Sequence, residues 1–185
     1  MTQYRVFSIG HSNRAFQEFV KLLKIYGVEI LIDIRRYPKS RKFPWFNKEY
    51  FQNNLPSEGI EYVSFRELGA LGIAKDVKPF NNITCIDSPT YKSYITYLIT
   101  SDTARSYIKK IISFVKENKV SCIMCCERFP WRCHRNFLSD VLTVLGVKVV
   151  HIIDEKRIIE HKGTKCYDYI REKVKRYWYG DFSPL

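Results

Sequence analysis

The 185-residue chain carries 31 Lys and Arg against 19 Asp and Glu, a formal charge of +12, with 45% hydrophobic and 27% charged residues. That length and balance suit one domain with a full hydrophobic core, and no run approaches the roughly 20 apolar residues of a membrane-spanning helix. The cationic excess favours anionic partners, either a small molecule or nucleic acid, against the bland alternative of a solvated Lys face.

Met1-Thr2-Gln3-Tyr4-Arg5 runs straight into an alternating segment and lacks the apolar centre of a secretory signal, so a soluble, cytoplasmic protein is expected. Tyr4 to Ile9 alternates as a strand and is followed by Gly10-His11-Ser12. A helical stripe of Phe16, Phe19, Val20 and Leu23 comes next, with Ser12 or Asn13 as N-cap and Gly27 as terminator. Ile30 to Ile34 is continuously apolar, as in a strand buried on both faces, and strand–helix–strand at this spacing predicts parallel pairing.

Residues 36–97 are less regular, broken by Pro38, Pro44, Pro56, Pro79 and Pro89, and are expected to form a loop-rich, lid-like insertion. The earlier grammar then returns. Ser101 or Asp102 caps a helix carrying Tyr107, Ile108, Ile111, Ile112 and Val115; Val120 to Cys126 is a buried strand; Phe137, Leu138, Val141 and Leu142 form a helical stripe ending at Gly146. Val147 to Ile153 is another strand, and a last helix runs near Tyr167 to Lys175. The expected fold is α/β, a mostly parallel sheet with helices on both faces.

In open parallel sheets, ligands bind at the carboxyl ends of the strands. The predicted strands end in Gly10-His11-Ser12, Asp33-Ile34-Arg35 and Cys125-Cys126-Glu127, while the last contains His151 and is followed by Asp154. The run from Cys125 to Arg135 joins a strand to a helix N-terminus, where free N–H groups and basic side chains favour an anion and lower a thiol pKa. Cys125 is the candidate nucleophile, and His11 or His134 the candidate proton carrier. Asp33 or Glu127 is expected to orient a histidine or arginine, and Glu127 becomes the better acid–base group if Cys125 is sealed in the core. Arg35, Arg41 and Arg135 are candidate anion ligands, with Ser12 and Ser40 beside them. Each has a bland reading: Cys125 as a small core residue, His134 as a tie between helix and sheet, Arg135 as the partner of a surface carboxylate.

Cys126 and Arg132 have the spacing of a phosphatase loop, but the interior Glu127-Arg128-Phe129-Pro130-Trp131 has no glycine and one residue without an N–H. Cys125, Cys133, His134 and His151 could ligate a metal, but structural zinc is only weakly supported, so no metal ligand and no cofactor is assigned. No disulfide framework is expected in a chain of this size, although a Cys125–Cys133 bond is left open. Arg35 to Phe46 interleaves cations with aromatics, as does Lys173 to Tyr179; both suit a phosphate backbone with a stacked base, or else aromatics stapled to the core.

Ile9-Gly10-His11-Ser12, Asp33-Ile34-Arg35 with Pro38 and Ser40-Arg41, Leu68-Gly69, Cys125 with Glu127, and Cys133-His134-Arg135 together resemble the motifs of the domain of unknown function 488 family, in order from about Tyr4 to His151. The resemblance implies an α/β fold and a site built from these positions, without naming a reaction. Cys126 stands where that family usually has a small residue such as alanine, which makes Cys125 the better nucleophile candidate. Leu31 to Arg35 is also similar to a strand of rhodanese-like sulfurtransferases, whose cysteine loop has no counterpart here. The sequence therefore predicts an enzyme acting on a phosphate-bearing substrate, a nucleotide or nucleic acid. The alternatives are a non-catalytic nucleic-acid-binding module and, more weakly, a metal-binding or redox protein.

Overall fold

The apolar runs assemble into one sheet in the computed structural model, which describes residues 4–178. Strands β1 (Arg5–Gly10), β2 (Ile30–Asp33), β3 (Glu61–Ser64), β4 (Ser121–Cys125), β5 (Lys148–Ile152) and β6 (Ile158–Glu160) lie in the order β3-β2-β4-β1-β5-β6. All neighbours pair in parallel except β6, which runs antiparallel to β5.

Helices α1 (Phe16–Ile25) and α2 (Lys48–Asn54) cover one face. On the other lie α3 (Ile73–Asp76), α4 (Pro89–Thr100), α5 (Asp102–Lys116), α6 (Arg135–Val144) and α7 (Tyr167–Tyr177). Successive strand residues feed opposite cores: Ile123 and Cys125 join the α4–α7 side, Cys122 and Met124 the α1 side. This two-sided burial explains why β2 and β4 read as unbroken apolar runs.

The order of the strands places the site. From β1 the chain crosses under α1 towards β2, whereas from β4 it crosses over α6 towards β5, so adjacent strands send their connections to opposite faces. Such a switch point opens a crevice at the carboxyl ends of the two strands. Here the crevice lies between Gly10-His11 and Cys125-Cys126-Glu127. The ladder continues past the strands into both loops, with His11 N–H donating to the Cys125 carbonyl at 2.9 Å and Ser12 N–H to that of Cys126 at 2.8 Å.

Several expectations need correction. Ala15 precedes α1 in extended conformation and no side chain caps the helix; Ser12 instead takes a left-handed φ of 53° in the β1 loop. Residues 36–97 are not one irregular insertion, since they supply an edge strand, β3, and α4, twelve residues long. Pro89 starts that helix rather than breaking a loop: Ser88 is its N-cap, accepting from Tyr91 N–H, and proline is tolerated in the first turn because that N–H has no intrahelical partner. Among the described residues no helix is long and apolar enough to cross a membrane. Met1, Thr2, Gln3 and Tyr179, which entered the sequence reading, lie outside the described residues.

The cysteine pairing also differs. Cys85, ahead of α4, is bonded to Cys166 at the start of α7, whereas Cys125 and Cys133 are free. The partners are 81 positions apart, and only the packing of α4 against α7 brings them together. Closing so long a loop restricts the unfolded chain, so a Cys85→Ser/Cys166→Ser variant should lose about 2–4 kcal/mol in urea unfolding. A variant as stable as the parent would show that the bond adds nothing beyond the packing already present.

Candidate active site

A cavity of about 600 Å³ opens at the switch point, lined from six stretches of the chain. His11 follows β1; Arg35, Arg36, Tyr37, Lys39 and Ser40 follow β2; Cys125 ends β4 and Cys126 and Glu127 follow it; Arg132, Cys133 and His134 lead into α6. Ala70 and Leu71 form a further wall with Tyr91 of α4.

The floor is built on a buried ion pair. Asp33 is fully buried and takes Arg35 Nε and Nη2 onto its carboxylate, the latter at 2.6 Å, together with the Tyr62 hydroxyl at 2.8 Å. Burial works against the Arg35 charge, but the hydrogen bonds and charge of Asp33 outweigh it and raise the guanidinium pKa. The remaining donors of Arg35 reach the Phe46 carbonyl at 2.8 Å and His11 Nε2 at 3.1 Å. His11 Nδ1 lies 2.9 Å from the Ser12 carbonyl, which fixes the tautomer: Nδ1–H donates, and Nε2 accepts from Arg35. Burial and the neighbouring Arg35 push the His11 pKa down to about 4. Phe46 stacks on its ring at 4.2 Å.

Asp33 is sealed beneath the cavity and orients Arg35. One expected role is revised: His11 is a neutral acceptor for Arg35 with no nitrogen free to carry protons.

The β4 loop is held from below. Arg135, 1% exposed, donates to the Glu127 carbonyl at 2.5 Å, the Arg128 carbonyl at 2.9 Å and Ser8 Oγ at 3.0 Å. Its guanidinium is spent on two backbone carbonyls and the Ser8 hydroxyl, so Arg135 positions Glu127 and is not an anion ligand. Gly10 allows the two loops to meet, because a Cβ there would sit 1.7 Å from the Glu127 carbonyl oxygen. On the opposite wall a Cβ on Gly69 would come within 2.4 Å of Arg36 N. Arg14, unmarked in the sequence reading, clamps the ends of β1 and β5 through the carbonyls of Gly10 and Ile153.

The sulfur chemistry is concentrated at the base of the cavity. Cys125 Sγ lies 3.9 Å from Cys126 Sγ and 3.7 Å from His134 Nδ1, and Cys133 Sγ lies 3.9 Å from the same nitrogen. Hydrogen bonds to Cys126 and Cys133, with burial, raise the Cys125 pKa well above the ordinary thiol value. A hydrogen bond from Cys125 lowers exposed Cys126 to about 7. Burial opposes ionisation of Cys133, but Cys125 and His134 overcome it and favour the thiolate. Cys125, 2% exposed, is therefore the donor at the centre of the cluster and not its nucleophile. The edge of Tyr94 or His134 meets the other's face at 5.1 Å, and His134 Nε2 is buried with no partner.

Other predicted residues lie apart from this floor. Ser40 reaches the cavity, but its N–H is bound to Asn47 and its hydroxyl accepts from Phe43 N–H. Ser12 turns its hydroxyl to Asn13, and exposed Arg41 is outside the cavity lining, so neither is an anion ligand there. His151 joins His161 across β5 and β6 instead of approaching Cys125. Arg36, Lys39 and Arg132 supply the cations that face the opening. They stood in the right loops of the sequence, but nothing in residue type separates them from Arg41 or Arg128.

The aromatics of residues 35–46 are largely used internally, with Phe46 buried and Trp45 Nε1 bound to the Arg14 carbonyl at 2.9 Å. In the C-terminal run Lys173, Val174 and Trp178 are also buried. Tyr37 is the exception, 61% exposed on the cavity wall.

Residues 15–142 match the family described as Domain of unknown function DUF488, a span that includes the β2 and β4 loops and leaves Gly10-His11 outside. No curated protein and no solved structure matches the chain.

Proposed function

Because the chain belongs to the DUF488 family, whose description assigns no reaction, we propose from the site itself that the protein is an enzyme acting on a phosphate-bearing substrate, a nucleotide or a nucleic acid. One observation carries this reading: an acid–base group, thiols and cations from separate loops line a single cavity at the switch point of the sheet. Arg36, Lys39 and Arg132 hold the phosphate, and Tyr37 offers a face for a base to stack on.

Glu127 is the acid–base residue. It lines the cavity, its side chain is exposed, and its backbone is fixed by Arg135 and by the close approach of Gly10. Cys125 is too buried to compete, and His11 too occupied.

Turnover of nucleoside phosphates and short oligonucleotides, followed by chromatography, tests the assignment. Glu127→Gln should lower kcat by about 100-fold or more with little change in binding, as expected for loss of an acid–base group. If Glu127→Gln leaves kcat unchanged, Glu127 is not that group. If the protein binds oligonucleotides steeply with salt but turns nothing over, it is the non-catalytic module instead.

A further inference from the structure

We propose that Cys125, Cys133 and His134 form a binding site for one thiophilic divalent metal ion, zinc being the best fit, with its fourth coordination position open to the cavity. The inference deepens the enzymatic reading, since it gives the site a Lewis acid, but it rests on a separate set of atoms.

The two sulfurs and a histidine nitrogen all lie within 4.8 Å of one another. A tetrahedral zinc with Zn–S of about 2.3 Å and Zn–N of about 2.0–2.1 Å needs S···S near 3.8 Å and S···N near 3.5 Å. The S···N distances here, 3.7 and 3.9 Å, are already close to such an edge. The local Cys122-Ile123-Met124-Cys125 spacing does not supply the ligands, because Cys122 packs on the opposite face of the sheet from Cys125. Cys125 ends β4, while Cys133 and His134 sit just before α6, and the 3₁₀ turn at 130–132 folds the second pair back onto the first.

Two features set the cluster apart from packed thiols. His134 turns Nδ1 towards both sulfurs, as a ligand would, in a place where a core histidine would seek an oxygen. Two buried thiols and a half-buried imidazole, with no carboxylate among them, are soft donors matched to zinc and poorly matched to magnesium or calcium.

Among the described residues, coordination stops at three protein ligands. Cys126 approaches Cys125 but falls outside the group of mutually close donors. Its thiol instead faces the cavity that Cys125, Cys133 and His134 also line. Two cysteines and one histidine with an open fourth position make a donor set used by catalytic zinc, whereas a structural site is closed by four. The open position accepts water or a phosphate oxygen, in reach of the cations at the mouth.

The full-length protein, stripped of metal by chelator and kept anaerobic, is titrated with Co²⁺ and then with Zn²⁺. One equivalent of Co²⁺ should produce thiolate-to-metal charge-transfer bands with the intense d–d absorption of tetrahedral geometry, and Zn²⁺ should bleach both. Loss of an outer-shell partner alone costs about 10–100-fold in affinity, so Cys133→Ser and His134→Ala should each weaken binding by about 100-fold or more. Cys126→Ser should bind as the parent does.

Absence of charge-transfer absorption overturns the proposal, as does binding that survives Cys133→Ser. Equal loss in Cys126→Ser overturns the open fourth position. Zinc should also raise the melting temperature of the parent and not of His134→Ala, a readout that holds even if a variant's bands are weakened by misfolding. None of these readings uses turnover, so a failed metal site and a failed enzymatic assignment are told apart.

Discussion

Replacing Asp33 with alanine is expected to lower stability by about 3–5 kcal/mol, the cost of leaving one member of a buried ion pair without its partner. The carboxylate is fully buried, and the guanidinium it holds is 7% exposed. Without Asp33, Arg35 keeps its charge under the cavity with only the Phe46 carbonyl and neutral His11 as acceptors. The Tyr62 hydroxyl loses its acceptor as well. For a chain of this length the deficit corresponds to a drop in Tm on the order of 10 °C.

Arg35→Met in the same chain should recover part of the loss, because it removes the stranded charge and keeps much of the volume; a double-mutant cycle in urea separates the two contributions. If Asp33→Ala unfolds within about 1 kcal/mol of the parent, water reaches Arg35 and the floor is not sealed. The effect would be structural, through the positioning of Arg35 and His11, so any change in substrate affinity should accompany it without a new pH dependence.

The same pair shows how far the sequence could be read. Asp33 and Arg35 are two positions apart at a strand end, and side chains at that spacing share a face, so pairing between them was available from periodicity. The sequence reads Asp33 as a group that orients a histidine or arginine and Arg35 as an anion ligand, without marking each as the other's partner. The main strands are legible because β2 and β4 are buried on both faces and leave apolar runs, while β1 alternates and β5 is mostly apolar. β3 left no such trace: Glu61-Tyr62-Val63-Ser64 is an edge strand with no fully buried residue.

The site was legible as a set of loops and not as a set of roles. Adjacent helical residues diverge by about 100°, which turns His134 to the sulfurs and Arg135 under the β4 loop, and that divergence follows only once the start of α6 is fixed. The Cys85–Cys166 bond likewise depends on the packing of α4 against α7, and neither cysteine lies in a local motif.

Stability should fall steeply as pH drops below about 6.5, driven by two histidines that the fold holds neutral. His11 is pushed down to about 4 by burial and the adjacent Arg35, and His151 to about 3 by burial, His161 and Arg135. His151 ends a short relay: Asp140 accepts from His161 Nε2 at 2.9 Å, and His161 Nδ1 then accepts from His151 Nε2 at 3.1 Å. Its own Nδ1 is left bare and buried, so a proton arriving there finds no acceptor. In the unfolded chain both imidazoles titrate near 6.5. Below that pH the unfolded state takes up protons that the folded state refuses, so stability is full above about 6.5 and is lost on acidification until the folded values are reached.

Each group contributes a slope of about 1.4 kcal/mol per pH unit, and the two together almost 3. Between about pH 6.5 and 5 this exceeds what ordinary carboxylates add, since those titrate mainly lower. Urea unfolding of metal-free protein across that window measures the slope with no contribution from metal release. His151→Gln should halve it, and His11→Gln/His151→Gln should flatten it. A parent whose unfolding free energy stays level from pH 6.5 to about 5 would mean that both rings accept protons in the fold, and with that the neutral His11 supporting Arg35 beneath the cavity would be lost.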